Sequence, residues 1–248
     1  RDVLGSRGLG DVYKRQPLDD KVERMEISDF SFPQEQSMSL YIENAQKFTI
    51  RPSAKRKLAS EQYHDVTIDS QVNLNLIQFY NTYPSSEVNG NFMTRWKMYA
   101  DTPMDESVSQ MLYPDIKNKI EGLSDVQAVN QILNWVQTAF QYEYDDKVWG
   151  HDRAFFAEET LYYPYCDCED RAILFTRLVR DLLGLKCILV YYPGHLASAV
   201  CLKQQVNGDY ISLDGDVYTI CDPTYIGAPV GITMPEMDNR SAKVIKLL

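Results

Sequence analysis

The sequence predicts an α+β fold in which one long amphipathic helix packs on an antiparallel β meander, preceded by a partial β-rich region. The helix is read from Ala172, Ile173, Leu174, Phe175, Leu178, Val179, Leu182 and Leu183, which recur on one face until Gly184 stops them, the spacing of about four helical turns. The meander is read from four strand-like runs, 186–192, 195–202, 210–213 and 217–221, separated by Pro193-Gly194, Asn207-Gly208 and Asp214-Gly215, pairs that suit hairpin turns. The β-rich region is read from alternation and aromatic content between residues 31 and 99.

Residues 1–16 show no apolar periodicity and end in Asp11-Val-Tyr-Lys-Arg-Gln16, which is similar to a translated sequencing adapter. They are set aside as an artefact, and the natural start is expected upstream. Both a cytoplasmic and an extracytoplasmic location stay open. From 17 to 100, strands are expected at Ser39-Leu-Tyr-Ile42, across 72–80 and across 92–99, with turns at Tyr83-Pro-Ser-Ser and Asn89-Gly-Asn. The basic run Arg51, Lys55, Arg56 and Lys57 reads as a solvated loop.

At Asp101-Thr-Pro103 a capping residue followed by Pro signals a helix start and a domain boundary near residue 100. Pro114 is expected to open a second short helix closed by Gly122. Ser124 caps a longer one carrying Val126, Val129, Leu133, Val136 and Phe140 at helical intervals, a core stripe. Residues 142–165 are rich in Tyr, Phe, Trp149 and charge without a clean period, as in a structured loop near a cleft. The core is placed at 101–231, and 232–248 is taken as a tail or the start of a further segment.

The 248 residues, 44% hydrophobic, suffice to bury a sizeable core. The net charge is −10; residues 1–16 hold four basic and two acidic groups, a net +2, so the remainder carries −12. With no basic stripe, nucleic acid is not an expected partner. The most apolar stretch, 187–202, is broken by Pro193, Gly194 and His195 and falls short of the roughly 20 residues a membrane span needs. The five cysteines are an odd number, unlike a disulfide framework, although a Cys201–Cys221 bridge between neighbouring strands stays open.

Cys168 falls at the first turn of the long helix, where unpaired N–H groups and the positive dipole end lower a thiol pKa. His195 starts the strand after Pro193-Gly194, and Asp222-Pro-Thr224 ends the meander. Helix start, strand start and strand end can meet at one sheet edge. A thiol nucleophile needs a base and a carboxylate that holds the imidazole tautomer. Of the three histidines, His64 lies before the boundary and His151 in the aromatic loop, which favours His195. Cys166 is a second candidate nucleophile, and Cys166 and Cys168 with Cys221 and His195 a candidate metal set, although one intervening residue is not the usual zinc spacing. Glu169 and Asp170 read as first-turn residues that favour the helix dipole.

Cys-Glu-Asp-Arg-Ala opening a helix, Gly-His-Leu-Ala on a strand and Asp-Pro-Thr at a strand end together resemble the transglutaminase-like superfamily, over about residues 101–231. The resemblance implies a papain-like α+β core and a catalytic triad on Cys168, His195 and Asp222, each 27 residues from the next. Many members carry an aromatic two residues after the histidine, where this chain has Ala197. The expected activity is thiol-dependent acyl transfer on a peptide or protein amide without a metal or cofactor. Hydrolysis comes first; transamidation by the same triad, or peptide binding without turnover, are alternatives. The oxyanion would be met by the Cys168 N–H and a side-chain donor, with Tyr165 and Trp149 as candidates.

Overall fold

A computed structural model describes residues 17–18, 21–22, 47–82 and 92–248. Residues 1–16 and the strand expected at 39–42 lie outside these. Pro17–Leu18 (β1) and Lys21–Val22 (β2) pair antiparallel. Arg56–Ala59 (β3) and Thr67–Ser70 (β4) form an antiparallel pair that buries Leu58 and Ile68. Arg56 does not sit in a solvated loop, because its Nη1 donates to the carbonyls of Leu161 and Tyr163 at 2.9 and 2.7 Å.

The strands expected at 72–80 and 92–99 are helices, so the β-rich reading of this region is corrected. In Leu74–Asn81 (α1), Asn73 caps the first turn by accepting from Asn75 N at 3.1 Å, and Leu76, Ile77 and Tyr80 are buried. In Phe92–Asp101 (α2), Trp96, Tyr99 and Ala100 are buried. Spacings of three and four are helical, and packing on one face overrides the strand preference of aromatic residues.

Glu106–Ile120 (α3) begins three residues after Pro103, the expected first helical position, with Asp105 accepting from Ser107 N at 3.0 Å. Pro114 lies inside it and does not open a second helix; Val108, Leu112, Ile116 and Ile120 stay in one buried row across it. Asp125–Thr138 (α4) carries the expected Ser124 cap, reciprocated by Gln127. The aromatic loop contains Gln141–Tyr142 (β5), Asp145–Val148 (α5), Ala157–Tyr162 (α6) and Tyr165–Cys166 (β6), with β5 and β6 parallel.

Cys168–Leu183 (α7) is the long helix, buried continuously from Cys168 to Val179 and closed by Gly184 at φ 65°. The left-handed conformation that ends a helix here costs glycine little. Cys187–Tyr192 (β7), His195–Val200 (β8), Tyr210–Leu213 (β9) and Asp216–Cys221 (β10) form the meander, joined by Lys243–Lys246 (β11). All neighbours are antiparallel in the order β11-β7-β8-β10-β9. β11 pairs with β7 along Lys243–Lys246, so residues expected as a tail complete the sheet edge. Helix α7 packs on β7 and β8 on one side and on α2, α4 and α6 on others, and the chain is mixed helix with an antiparallel sheet. No helix among the described residues is long and apolar enough to cross a membrane.

All five cysteines are free. Cys221 faces Ser198 across the β8–β10 ladder, whereas Cys201 follows Val200, the partner of Thr219. That register leaves them about three residues, roughly 10 Å, apart along the strands, beyond the reach of a disulfide.

Candidate active site

His195 and Asp222 meet as expected. Pro193-Gly194, with Gly194 at φ 80°, turns β7 into β8 in two residues, so that Tyr192 pairs directly with His195. The imidazole lies parallel to the Tyr192 ring at 6.2 Å. His195 Nε2 is 2.8 Å from Asp222 Oδ2, with both side chains buried at 7% and 2% exposure. Because a carboxylate accepts, Nε2–H is the donor in this pair, leaving Nδ1 for another partner. Asp222 is itself fixed: its Oδ1 accepts from the backbone N–H groups of Thr224 and Tyr225 at 2.9 and 3.2 Å. This is the local turn that an Asp beside Pro favours.

Cys168 packs against Leu196 of β8 but makes no hydrogen bond to His195 or Asp222. The two share a buried cluster, and the backbone N–H of Leu196, the residue after His195, favours the thiolate. The thiol donates to Glu169 Oε2 at 3.1 Å. Burial pushes the Cys168 thiol well above its ordinary pKa, Glu169 and Asp167 push it further, and the Leu196 N–H opposes them. The lowered pKa expected from the helix start is therefore overturned: desolvation and two flanking acids outweigh the dipole.

Cys166 is held elsewhere. Its sulfur accepts from Arg171 Nε at 3.4 Å and its thiol approaches the Gln141 carbonyl at 3.9 Å, so it is tied to β5 and α7. Among the described residues, Cys166, Cys168, Cys221 and His195 form no group of ligand atoms within 4.8 Å. Three other groups do: Asp167, Cys168 and Glu169; Asp145, Asp167 and Asp170; and Asp145, Asp152 and Glu169. The two all-carboxylate groups offer hard oxygen ligands of the kind that suits calcium or magnesium, whereas the first includes the Cys168 sulfur. Within the protein alone, burial and the Asp170 and Glu169 carboxylates push Asp167 up to about 11, burial pushes Asp145 up to about 7, and Arg95 pairs with Asp152 at 2.5 Å.

Of the two expected oxyanion donors, Trp149 is committed to an aromatic cluster, edge-on to Phe155 and Tyr163 with the Arg153 guanidinium 4.3 Å from its ring. Tyr165 is half-buried in the β5–β6 ladder. Tyr142, on the same ladder, lies in the field of Cys168: burial raises its pKa, and the charge of Cys168 raises it next. The sequence reading missed Tyr142, Arg171 and Gln137. The signal for Arg171 was a cation three residues after Cys168 on a helix buried all round; for Gln137 it was an amide following the apolar residues Leu133 and Val136 of α4. No family model and no curated protein matches the chain.

Proposed function

We propose that the protein is a thiol acyl-transfer enzyme of the transglutaminase-like kind, with a papain-like core, in which Cys168 attacks a peptide or protein amide. The observation that carries this is the buried His195–Asp222 pair, 2.8 Å apart, opening the strand whose next residue, Leu196, shares a buried cluster with Cys168. The helix that carries the thiol, packed on an antiparallel sheet that carries the base, supports the papain-like arrangement.

Burial, Glu169 and Asp167 raise the thiol pKa, so in this mechanism the proton moves from Sγ to His195 Nδ1 as sulfur bonds to the carbonyl carbon. Asp222 accepts from Nε2–H, fixes the tautomer and stabilises the imidazolium. The N–H groups at the start of α7 have no partner within the helix and, with the Tyr142 hydroxyl, meet the oxyanion. The imidazolium then protonates the leaving amine, leaving a thioester. In hydrolysis a water gives its proton to His195, attacks the thioester and releases the acid and the thiol. A lysine amine in place of water gives transamidation.

Incubation of the full chain with a glutamine-containing peptide library, with and without a primary amine, distinguishes these by mass. Hydrolysis is expected as backbone cleavage or ammonia loss without amine incorporation, absent in Cys168→Ser. Amine incorporation assigns the transamidase; turnover that persists in Cys168→Ser overturns the proposal. Peptide retained without turnover by wild type and Cys168→Ser alike identifies a binding domain.

A further inference from the structure

The residue that carries Asp222 toward His195 is followed by an irregular segment, 222–228, with no strand ladder to hold it. One buried side chain takes that role. Gln137, on the last turn of α4 and 1% exposed, donates through Nε2 toward the carbonyls of Asp222, Tyr225 and Ala228 at 2.9, 2.8 and 3.0 Å. Its Oε1 accepts from Gly227 N at 3.1 Å. An amide has two N–H donors, so three carbonyls within reach means one proton is shared.

The same residue is bound from the other side. Arg171, three residues after Cys168, donates from Nη1 to the Gln137 carbonyl at 3.1 Å and from Nη2 to the Phe140 carbonyl at 2.6 Å. The backbone of Gln137 is thus fixed to the helix that carries the nucleophile, and its side chain to the segment that carries the carboxylate. No other contact described above links the two so directly.

Resting on the triad reading of the site, we propose that Gln137 is a positioning residue that sets Asp222, and through it the His195 imidazole, in register with Cys168. Its amide matches a loop of several carbonyls and one N–H, which neither a carboxylate nor an apolar side chain satisfies. A misplaced orienter leaves the imidazole free to turn or change tautomer, and the thiol then loses its base.

The test uses the full chain and follows carbamidomethylation of Cys168 by iodoacetamide from pH 5 to 10, located by peptide mass, with thermal melting as a check on folding. Wild type is expected to label faster near neutral pH than His195→Ala. Gln137→Met keeps the volume and removes all four bonds; its rate is expected to fall on the order of tenfold, to match Asp222→Ala, and not to fall further when Asp222→Ala is added. Gln137→Glu is expected to regain part of the rate at the acid end, where a protonated carboxyl again donates. If Gln137→Met does not fold, Gln137→Asn, which keeps the amide and shortens its reach, carries the same comparison. Equal rates in wild type and His195→Ala overturn the triad reading and this inference with it. Unequal rates there, with Gln137 variants at the wild-type rate or with losses that add to those of Asp222→Ala, overturn the inference alone.

Discussion

Arg171→Met tests the stability side of the same junction. The guanidinium is 1% exposed and gives hydrogen bonds to the Gln137 and Phe140 carbonyls and to Cys166 sulfur, with its carbon 5.3 Å from the Tyr142 ring. It sits where α4 ends, at the negative pole of that helix. Methionine fills much of the space but donates nothing, so two buried carbonyls lose a charged donor, at about 1–3 kcal/mol each. Releasing a buried charge from its desolvation cost offsets part of this. The expected net loss is about 3 kcal/mol, a large fraction of the roughly 5–15 kcal/mol that holds a domain folded. Urea unfolding followed by tryptophan fluorescence measures it, with unchanged m-value as the check that the same surface unfolds. Arg171→Lys, which keeps the charge on a single point donor, is expected to fall between the two. A loss below about 1 kcal/mol for Arg171→Met would refute the assignment of Arg171 as the support of this junction.

Two further outcomes follow from packing and charge. A Cβ on Gly208 would stand 2.6 Å from Gly231 O and 2.7 Å from Gly231 Cα, backbone atoms that cannot turn aside, and Asp209 N bonds that same carbonyl at 2.8 Å; Gly208→Ala is expected to cost about 2–3 kcal/mol in urea unfolding. A cost no larger than that of Gly122→Ala, where the added Cβ meets nothing, would contradict the close approach. Burial raises Glu158 from the ordinary carboxylate value of 4.5 to about 7, so between these values the folded state holds a proton that the unfolded state has released, and stability must fall as pH rises through that window. Glu158→Gln keeps the acceptor that receives Asp105 N at 2.6 Å and should flatten this slope in part, Asp145 contributing the remainder with its own value near 7; identical slopes in the two proteins would rule out Glu158 as the group responsible.

What the sequence made legible was written in local chemistry. Gly184, Ser124 and Pro193-Gly194 act within a few residues of themselves, and the helix end, helix cap and hairpin they specify are where the pattern puts them. The order Cys168, His195, Asp222 placed the three residues on a helix start, a strand start and a strand end, and the His195–Asp222 contact follows from that placement. What stayed hidden depends on partners distant in the chain. Residues 92–99 are rich in residues that favour strands, yet Trp96, Tyr99 and Ala100 fall on one helical face that packs against α7. Lys243–Lys246 has only four residues, preceded by a turn at Asp238–Ser241; it becomes a strand because the edge of β7 is open to it. Gln137 looked like one more polar residue on α4, because the carbonyls it serves lie 85 to 91 positions away.

The same division explains why the charge state of Cys168 was misread. At the sequence level the helix start counts for its dipole, about 0.3–1 kcal/mol toward an anion, and the adjacent Glu169 and Asp170 read only as residues favourable to that dipole. Folding brings the Glu169 carboxylate to 3.1 Å, and a like-charge pair at that distance costs on the order of 5 kcal/mol at an effective dielectric constant near 20. Desolvation by burial is the larger effect and acts in the same direction, raising the thiol pKa. Under the proposed mechanism this moves the burden of catalysis from the helix to the base: without a preformed thiolate, attack proceeds only as fast as His195 can take the proton in the right direction. The placement of the imidazole then matters more than the placement of the cysteine, and it is set by Asp222, by the turn that holds Asp222, and by the one amide on α4 that holds the turn.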